Sequence, residues 1–385
     1  MTTTECAIIG AVLTGFLAAF SLIRLLARPL HLSPEFTRKS IHVIMGLTCA
    51  TFPWIFHRPL PVWILALIAT LPILGLRTIP FLKKHFGKVL HGISRPSYGE
   101  ILFAPAVATV FQLAGGDVLL FVIPILILTL ADAAAALAGT HWGKLHYISG
   151  KGKKSIEGSI GFLLVAFACI SIPLLLSGTI NTPNALWIAI ILATLAMMTE
   201  GFSDRGLDNI LLPVGCFFIL QRLLPLENQA LGTRFLVLIL LLALVLTAFR
   251  SSLLSGAALL GSAMLGYGCA VLADWRFAIP PSIVFVSRLI TLRAGNRQKP
   301  PGIDAVISHA IACLPWVLAV SFHHISPDLG LAGISTSMAI QLVILYLSDG
   351  PSRFWNRLTS SQTWFVRGTI SLTASLPILL FRNLL

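Results

Sequence analysis

Four short blocks hold the residues of this sequence that could do chemistry. Arg38-Lys39-Ser40-Ile41-His42 opens an apolar run with two cations and an imidazole. On a helix Arg38, Ile41 and His42 share a face at i, i+3 and i+4, with Lys39 beside it. The group suits a phosphate held between cations, and it also suits a plain basic anchor at a helix end. The second block is Arg95, Tyr98, Gly99 and Glu100, where a carboxylate starts an apolar run directly after a glycine. Lys83, Lys84 and Lys88 before it read as an amphipathic stretch on anionic lipid. The third block runs from Asp132 through Gly139, Gly143 and Lys144 to Lys153-Lys154-Ser155-Ile156-Glu157-Gly158-Ser159. Small residues follow Asp132, so a backbone or ligand can come close. A loop rich in glycine and lysine can wrap phosphates with backbone N–H groups and neutralise them. The helix expected after Ser155 adds a dipole that favours an anion. The fourth block, Glu200-Gly-Phe-Ser-Asp204-Arg205-Gly-Leu-Asp208-Asn209, places three carboxylates between two apolar runs. Carboxylates near phosphate-binding lysines are what Mg²⁺–nucleotide chemistry needs, because Mg²⁺ is held by one or two carboxylates plus phosphates and water.

Two common phosphate-binding fingerprints are absent. Neither G-x-x-x-x-G-K-[ST] nor G-x-G-x-x-G occurs, and the setting is apolar helices, not strand–loop–helix. The six cysteines, Cys6, Cys49, Cys169, Cys216, Cys269 and Cys313, lie in or beside apolar runs without a C-x-x-C pair. They read as small packing residues, not as a disulfide framework or zinc site.

The elements that must position these blocks are membrane helices. Apolar residues make up 56% of the 385 and charged residues 11%, with mean hydropathy +0.91. That balance excludes a soluble enzyme, a disordered chain and a disulfide scaffold. Apolar runs near the length of a span fall at 7–27, 41–56, 60–76, 100–114, 117–139, 159–178, 185–200, 209–225, 235–249, 252–273, 279–292, 303–321, 331–347 and 368–384. The fold class expected is all-α, a polytopic membrane protein with about 12–14 transmembrane helices. Met1–Glu5 has no Lys or Arg, so 7–27 reads as a span and not a cleaved signal. With the N terminus outside, only Arg58, Arg222, Arg234, Arg276 and Arg382 of the 27 basic residues fall outside. The net charge of +13 is then topological and gives no reason to expect a nucleic-acid partner. In that layout the loops 28–40, 77–99, 140–158 and 201–208 share the cytoplasmic side. Glu100, Asp132, Glu200 and Asp208 sit at the adjoining span ends, and intramembrane carboxylates point to function by default.

Taken in order, the blocks resemble the CTP-dependent polyprenol kinases, which include dolichol, phytol and farnesol kinases. The match is Arg38-Lys39-x-x-His42 with Gly46, Tyr98-Gly99-Glu100 with Pro105, the Asp132–Gly143 and Lys153–Ser159 block, and Glu200 with Asp208-Asn209, over about 35–225. The resemblance implies transfer of the γ-phosphoryl of CTP to the hydroxyl of an isoprenoid alcohol in the bilayer, with Mg²⁺ as cofactor. It implies phosphate or nucleotide contacts from Arg38, Lys39, Gly139, Gly143, Lys153, Lys154, Ser155, Glu157 and Asn209. Asp132 and Asp208 would hold Mg²⁺, Glu200 or Glu100 would orient or deprotonate the alcohol, and His42 would join Arg38 and Lys39 at the phosphate rim.

The chain is expected to divide into a kinase-like membrane domain over 1–228 and a second membrane domain over 229–385. Ser255–Gly266 and Asp304–Ala319 are faintly similar to phytyl-phosphate kinases, but no acidic motif comparable to the first half accompanies them. His309, His323 and His324 read as span or interface residues, and Asp349–Arg367 as an interfacial anchor loop. Two other functions compete. A phosphatidate cytidylyltransferase-like enzyme would use similar lysines and Mg²⁺, and a transporter would suit the span count but would place polar sites near the midplane. The short spans and missing targeting extension favour a bacterial inner membrane.

Overall fold

The computed structural model describes residues 3–27, 29–78, 98–149, 152–203, 206–250, 255–294, 303–348 and 360–381. Arg95, Lys83, Lys84, Lys88, Asp204, Arg205 and the 349–359 part of the expected anchor loop lie outside them. The protein is an all-α, polytopic integral membrane protein. Among the described residues, Thr3–Ala27, Val118–Trp142, Ile156–Ser177, Thr182–Phe202, Ile303–Ser321 and Pro327–Tyr346 are long and apolar enough to cross a membrane, and four shorter apolar helices accompany them. Leu17, Leu164 and Leu176 are well exposed, as lipid-facing side chains must be.

The chain forms two compact units, Met1–Tyr147 with Lys151–Gly232 and Ile148–Gly150 with Thr233–Leu385. In the first unit the helices are α1 (Thr3–Ala27), α2 (Pro34–Ala50), α3 (Phe52–Ile55), α4 (Pro59–Thr78), α5 (Gly99–Ala114) and α6 (Val118–Leu126). A π-helical turn over Ile127–Ala131 joins α6 to α7 (Asp132–Trp142). Two short strands, β1 (His146–Ser149) and β2 (Gly152–Ser155), pair before α8 (Ile156–Ser177), α9 (Thr182–Phe202) and α10 (Asp208–Leu223). Helix α11 spans Asn228–Arg250.

Local sequence explains the boundaries. Ser33 caps α2 by accepting from Phe36 N at 3.2 Å, with Pro34 in the first turn. Asp117 caps α6 through Leu120 N at 3.0 Å, and Asn181 caps α9 through Asn184 N at 2.9 Å. Gly115, at φ 58°, ends α5 in the left-handed region. The core of this unit is the buried apolar face where α6, α8, α9 and α10 meet, including Phe121, Ile125, Phe162, Ile188, Leu192 and Phe217.

Where a glycine- and lysine-rich loop was expected at 140–158, the chain forms a β-hairpin. The aromatic and β-branched pair Tyr147-Ile148 suits a strand. Its alternation leaves His146, Ile148 and Lys153 exposed while Ser149 and Ser155 are buried and Tyr147 and Lys154 partly so.

The second unit contains α12 (Gly256–Leu272), α13 (Ile279–Ala294), α14 (Ile303–Ser321), α15 (Pro327–Ser348) and α16 (Ser360–Ser375). Three of its buried polar side chains pair with one another. Gln341 Nε2 donates to Ser308 Oγ at 2.6 Å, and Ser371 Oγ donates to Gln341 Oε1 at 2.5 Å, tying α14, α15 and α16 together. The expected loop up to Arg367 is helical from Ser360, and the Arg367 guanidinium lies 4.6 Å from the Trp364 ring centroid. The corresponding span, expected at 368–384, gives way after Ser375 to a 3₁₀ turn over Leu376–Phe381, since Pro377 cannot supply a helical N–H.

Candidate functional site

The site is built from two buried lysine–carboxylate pairs and one further aspartate. Lys39, on α2, is 4% exposed and places Nζ 2.5 Å from Asp132 Oδ2. His42, one turn on, brings Nε2 to 3.6 Å from the same oxygen. Lys39 and His42, spaced i and i+3, therefore both face the carboxylate, Lys39 in direct contact with it and His42 beside it. Arg38, on the neighbouring face with Ile41 and His42, is exposed at the rim and pairs with Glu35 at 2.6 Å. Salt bridging along the helix surface satisfies Arg38 where water is near, while the shorter Lys39 reaches inward.

The π turn sets up this half of the site. It widens the helix just before Asp132, and π turns free carbonyls from the regular ladder. His42 Nε2 lies 3.1 Å from Leu128 O in that turn. A carbonyl only accepts, so Nε2 carries the proton there. The His42 ring is further held edge-on against Phe103, at 5.1 Å between centroids. Helix α2 approaches closely because residue 46 is glycine, where a Cβ would overlap the Thr129 side chain.

The second pair joins the hairpin to α9. Lys154 Nζ lies 2.7 Å from Glu200 Oε1 and also donates to the Glu200 carbonyl oxygen. The two side chains are 24% and 11% exposed. Burial alone would lower the pKa of Lys154, but attraction from Glu200 and Asp208 outweighs it, and the ammonium is held above its ordinary value. Tyr147, across the hairpin, donates or accepts at Ser159 Oγ, 2.9 Å away. Burial first, then the Glu200 charge, raises the Tyr147 pKa, so its hydroxyl stays protonated.

Asp208 links the halves electrostatically. It is repelled by Asp132 and attracted by Lys154 and Lys39, while Arg38 senses both Asp132 and Asp208. Asn209 Nδ2 donates to Gly99 O at 2.7 Å, fixing the start of α10 against the start of α5 beside Glu100. Charged groups from α2, α7, β2, α9 and α10 thus act on one another within a single unit.

Other expected contacts have structural work. Ser155 caps α8 through Gly158 N at 3.1 Å. Glu157 accepts from Leu145 N at 3.2 Å and closes the hairpin base. Gly139 and Gly143 let α7 lie against Ser155 and Gly158, where a Cβ on Gly158 would stand 2.8 Å from Ala135 O. Lys153 is exposed on the strand face opposite Lys154. Tyr147, the Leu128 carbonyl and Gly158 as a packing residue were missed. The period-2 pattern of His146–Ser149 was a usable signal for Tyr147, whereas a π turn leaves no mark in the residue pattern.

Among the described residues, no group of three or more His, Cys, Asp or Glu is placed to hold a metal alone. Mg²⁺ does not require one, since substrate phosphates complete its shell. The chemistry of the donor set, hard carboxylate oxygens of Asp132 and Asp208 near lysines, fits that ion.

Fold and site together define a polytopic membrane protein whose first unit gathers paired charges suited to a polyanion. A phytol kinase from Synechocystis sp. is 30% identical over 214 residues, which cover 53% of this chain and 86% of that protein. The chain belongs to the polyprenol/phytol kinase family. No family model matches it, and no solved structure does.

Proposed function

We propose that the protein is an isoprenoid-alcohol kinase that transfers the γ-phosphoryl group of CTP to a lipid hydroxyl, with phytol the first alcohol to test. The observation that supports this is that two lysine–carboxylate pairs, Lys39–Asp132 at 2.5 Å and Lys154–Glu200 at 2.7 Å, form within the one compact unit that also carries Asp208. Phosphoryl transfer asks mainly for charge neutralisation and in-line positioning. Lys39 and Lys154 are each matched by a carboxylate. A triphosphate entering the site would take over Lys39 and Lys154 as counter-charges, and Arg38 at the rim would add a third cation.

The alcohol oxygen attacks the γ-phosphorus, the bond to the bridging β–γ oxygen breaks, and CDP leaves. The hydroxyl proton passes to a carboxylate, for which Glu200 and Glu100 are the candidates. Asp132 and Asp208 would hold Mg²⁺, which when bound supplies charge neutralisation on the phosphates. His42 holds Asp132 in register from the Leu128 carbonyl. The isoprenoid tail stays among the spans while its hydroxyl meets the site at the cytoplasmic interface of a bacterial inner membrane.

The test is donor chemistry. Membranes containing the protein are given phytol, farnesol or a longer polyprenol with CTP labelled at γ or at α, with and without EDTA. Label from the γ position in the lipid, lost with EDTA, is expected. Label from the α position with added phosphatidate would assign cytidylyl transfer instead. No label from CTP or ATP would remove the kinase reading.

A further inference from the structure

The hydroxyls of Tyr147 and Ser159 have no part in the chemistry above, yet Tyr147 is within electrostatic reach of both Lys154 and Glu200. Tyr147 Oη lies 2.9 Å from Ser159 Oγ. Ser159 Oγ in turn lies 3.2 Å from the carbonyl oxygen of Ser155. A carbonyl only accepts, and a serine hydroxyl carries one proton. The Ser159 proton therefore goes to Ser155 O, and the Tyr147 proton goes to Ser159 Oγ. The run has one direction, from Tyr147 through Ser159 to Ser155.

That run ends on the residue next to Lys154. Ser155 closes β2 and caps α8 through Gly158 N at 3.1 Å. The same stretches are joined by Ile156 N, which donates to Leu145 O at 2.9 Å, and by Leu145 N, which donates to Glu157 Oε1 at 3.2 Å. Lys154 needs such fastening, because a lysine ammonium sits on a flexible four-carbon stem. At the tip, Nζ is held by Glu200 Oε1 at 2.7 Å and by the Glu200 carbonyl oxygen. A phosphate that takes over the ammonium replaces those tip contacts. The base of the side chain then keeps its place only through its own backbone, which the Tyr147 run holds.

We propose that Tyr147 is a positioning residue: through Ser159 and the Ser155 carbonyl, its hydroxyl fixes the end of β2 from which Lys154 reaches the phosphates of the nucleotide. The role assigned to Lys154 rests on the kinase reading, whereas the fixing of Lys154 is measurable without it.

The test uses the purified full chain as wild type, Tyr147→Phe, Ser159→Ala, the double variant and Ser159→Thr, at matched amounts of folded protein. Acetic anhydride labels lysines, and mass spectrometry reads Lys154 against the exposed Lys153 in the same chain. Tyr147→Phe and Ser159→Ala should each raise that ratio by about twofold or more, and the double variant should raise it no further, as for residues that act as a unit. Ser159→Thr keeps the hydroxyl and should keep the wild-type ratio. In the γ-phosphate assay, Tyr147→Phe should lower kcat about three- to tenfold, the size of one hydrogen bond, with KM for the alcohol unchanged. Melting temperatures that fall while the labelling ratio stays at the wild-type value would overturn the proposal and leave the bond merely structural. Additive effects of the two single variants on the ratio would also overturn it. If the wild type transfers no γ-phosphate, the kinase reading fails, and the labelling ratios still decide whether Tyr147 fixes Lys154.

Discussion

Replacing Lys39 by Met should destabilise the protein strongly, and replacing its partner as well should restore most of the loss. At an effective dielectric of about 20, unit charges 2.5 Å apart attract by roughly 7 kcal/mol. Desolvation of both groups offsets much of that attraction. What remains decisive is the state after the change: Lys39→Met leaves the Asp132 carboxylate, 14% exposed, with His42 as its nearest remaining partner. Leaving one member of a buried pair uncompensated costs about 3–5 kcal/mol. For a unit of this size the melting temperature should fall by roughly 6–20 °C. Asp132→Asn in the same chain removes the stranded charge, so Lys39→Met with Asp132→Asn should recover most of the drop. The assay is thermal unfolding of the purified protein in one detergent, read by intrinsic fluorescence for the wild type, both single variants and the double. A fall of only a degree or two for Lys39→Met, or no recovery in the double variant, would refute the argument that this pair is buried and mutually compensating.

Three further outcomes follow from the same geometry. Gly158→Ala should cost about 1–3 kcal/mol, because its Cβ meets Ala135 O at 2.8 Å. Gly215→Ala, with nothing within 4 Å, should be neutral or slightly stabilising, and melting curves of the two compare them directly. Asn209→Ala removes the bond to Gly99 O and should lower stability by about 1 kcal/mol, read as a small fall in melting temperature. Lys154 has a raised pKa in the fold, so its contribution is fully present below the ordinary lysine value of 10.5 and lost as pH rises through the higher folded value. The alkaline decline in melting temperature should therefore be smaller in Lys154→Met than in the wild type.

Much of this molecule was legible in residue order because its constraints are one-dimensional. Long apolar runs must be helices in lipid, so the all-α polytopic class follows from hydropathy alone, while among the described residues six helices reach a spanning length. Scarce carboxylates among those runs marked Asp132, Glu200 and Asp208, and Lys154 stood out beside glycine. Partner choice was not legible in the same way. Whether Arg38 or Lys39 turns inward depends on a π turn some 90 residues away and on the space left by Gly46 against Thr129. The hairpin was obscured because its glycines and lysines have the composition of a loop. Only the alternation of Tyr147 with Ile148, and of Lys153 with Lys154, separates its faces. Gly139 and Gly143 drew attention as possible phosphate contacts. Their close approach to Ser155 and Gly158 gives them a packing role that spacing alone does not distinguish.

The central claim is that the charge-paired cluster carries out phosphoryl transfer to a lipid alcohol. The most direct measurement counts γ-phosphate from labelled CTP in extracted phytol, for wild type and for Lys39→Met with Asp132→Asn, at matched amounts of folded protein. The account predicts labelled lipid from the wild type and a loss of about a hundredfold or more in the double variant, in the range expected for removing charge stabilisation from a transition state. Equal label from both proteins would contradict it, because the reaction would then be running somewhere other than this site.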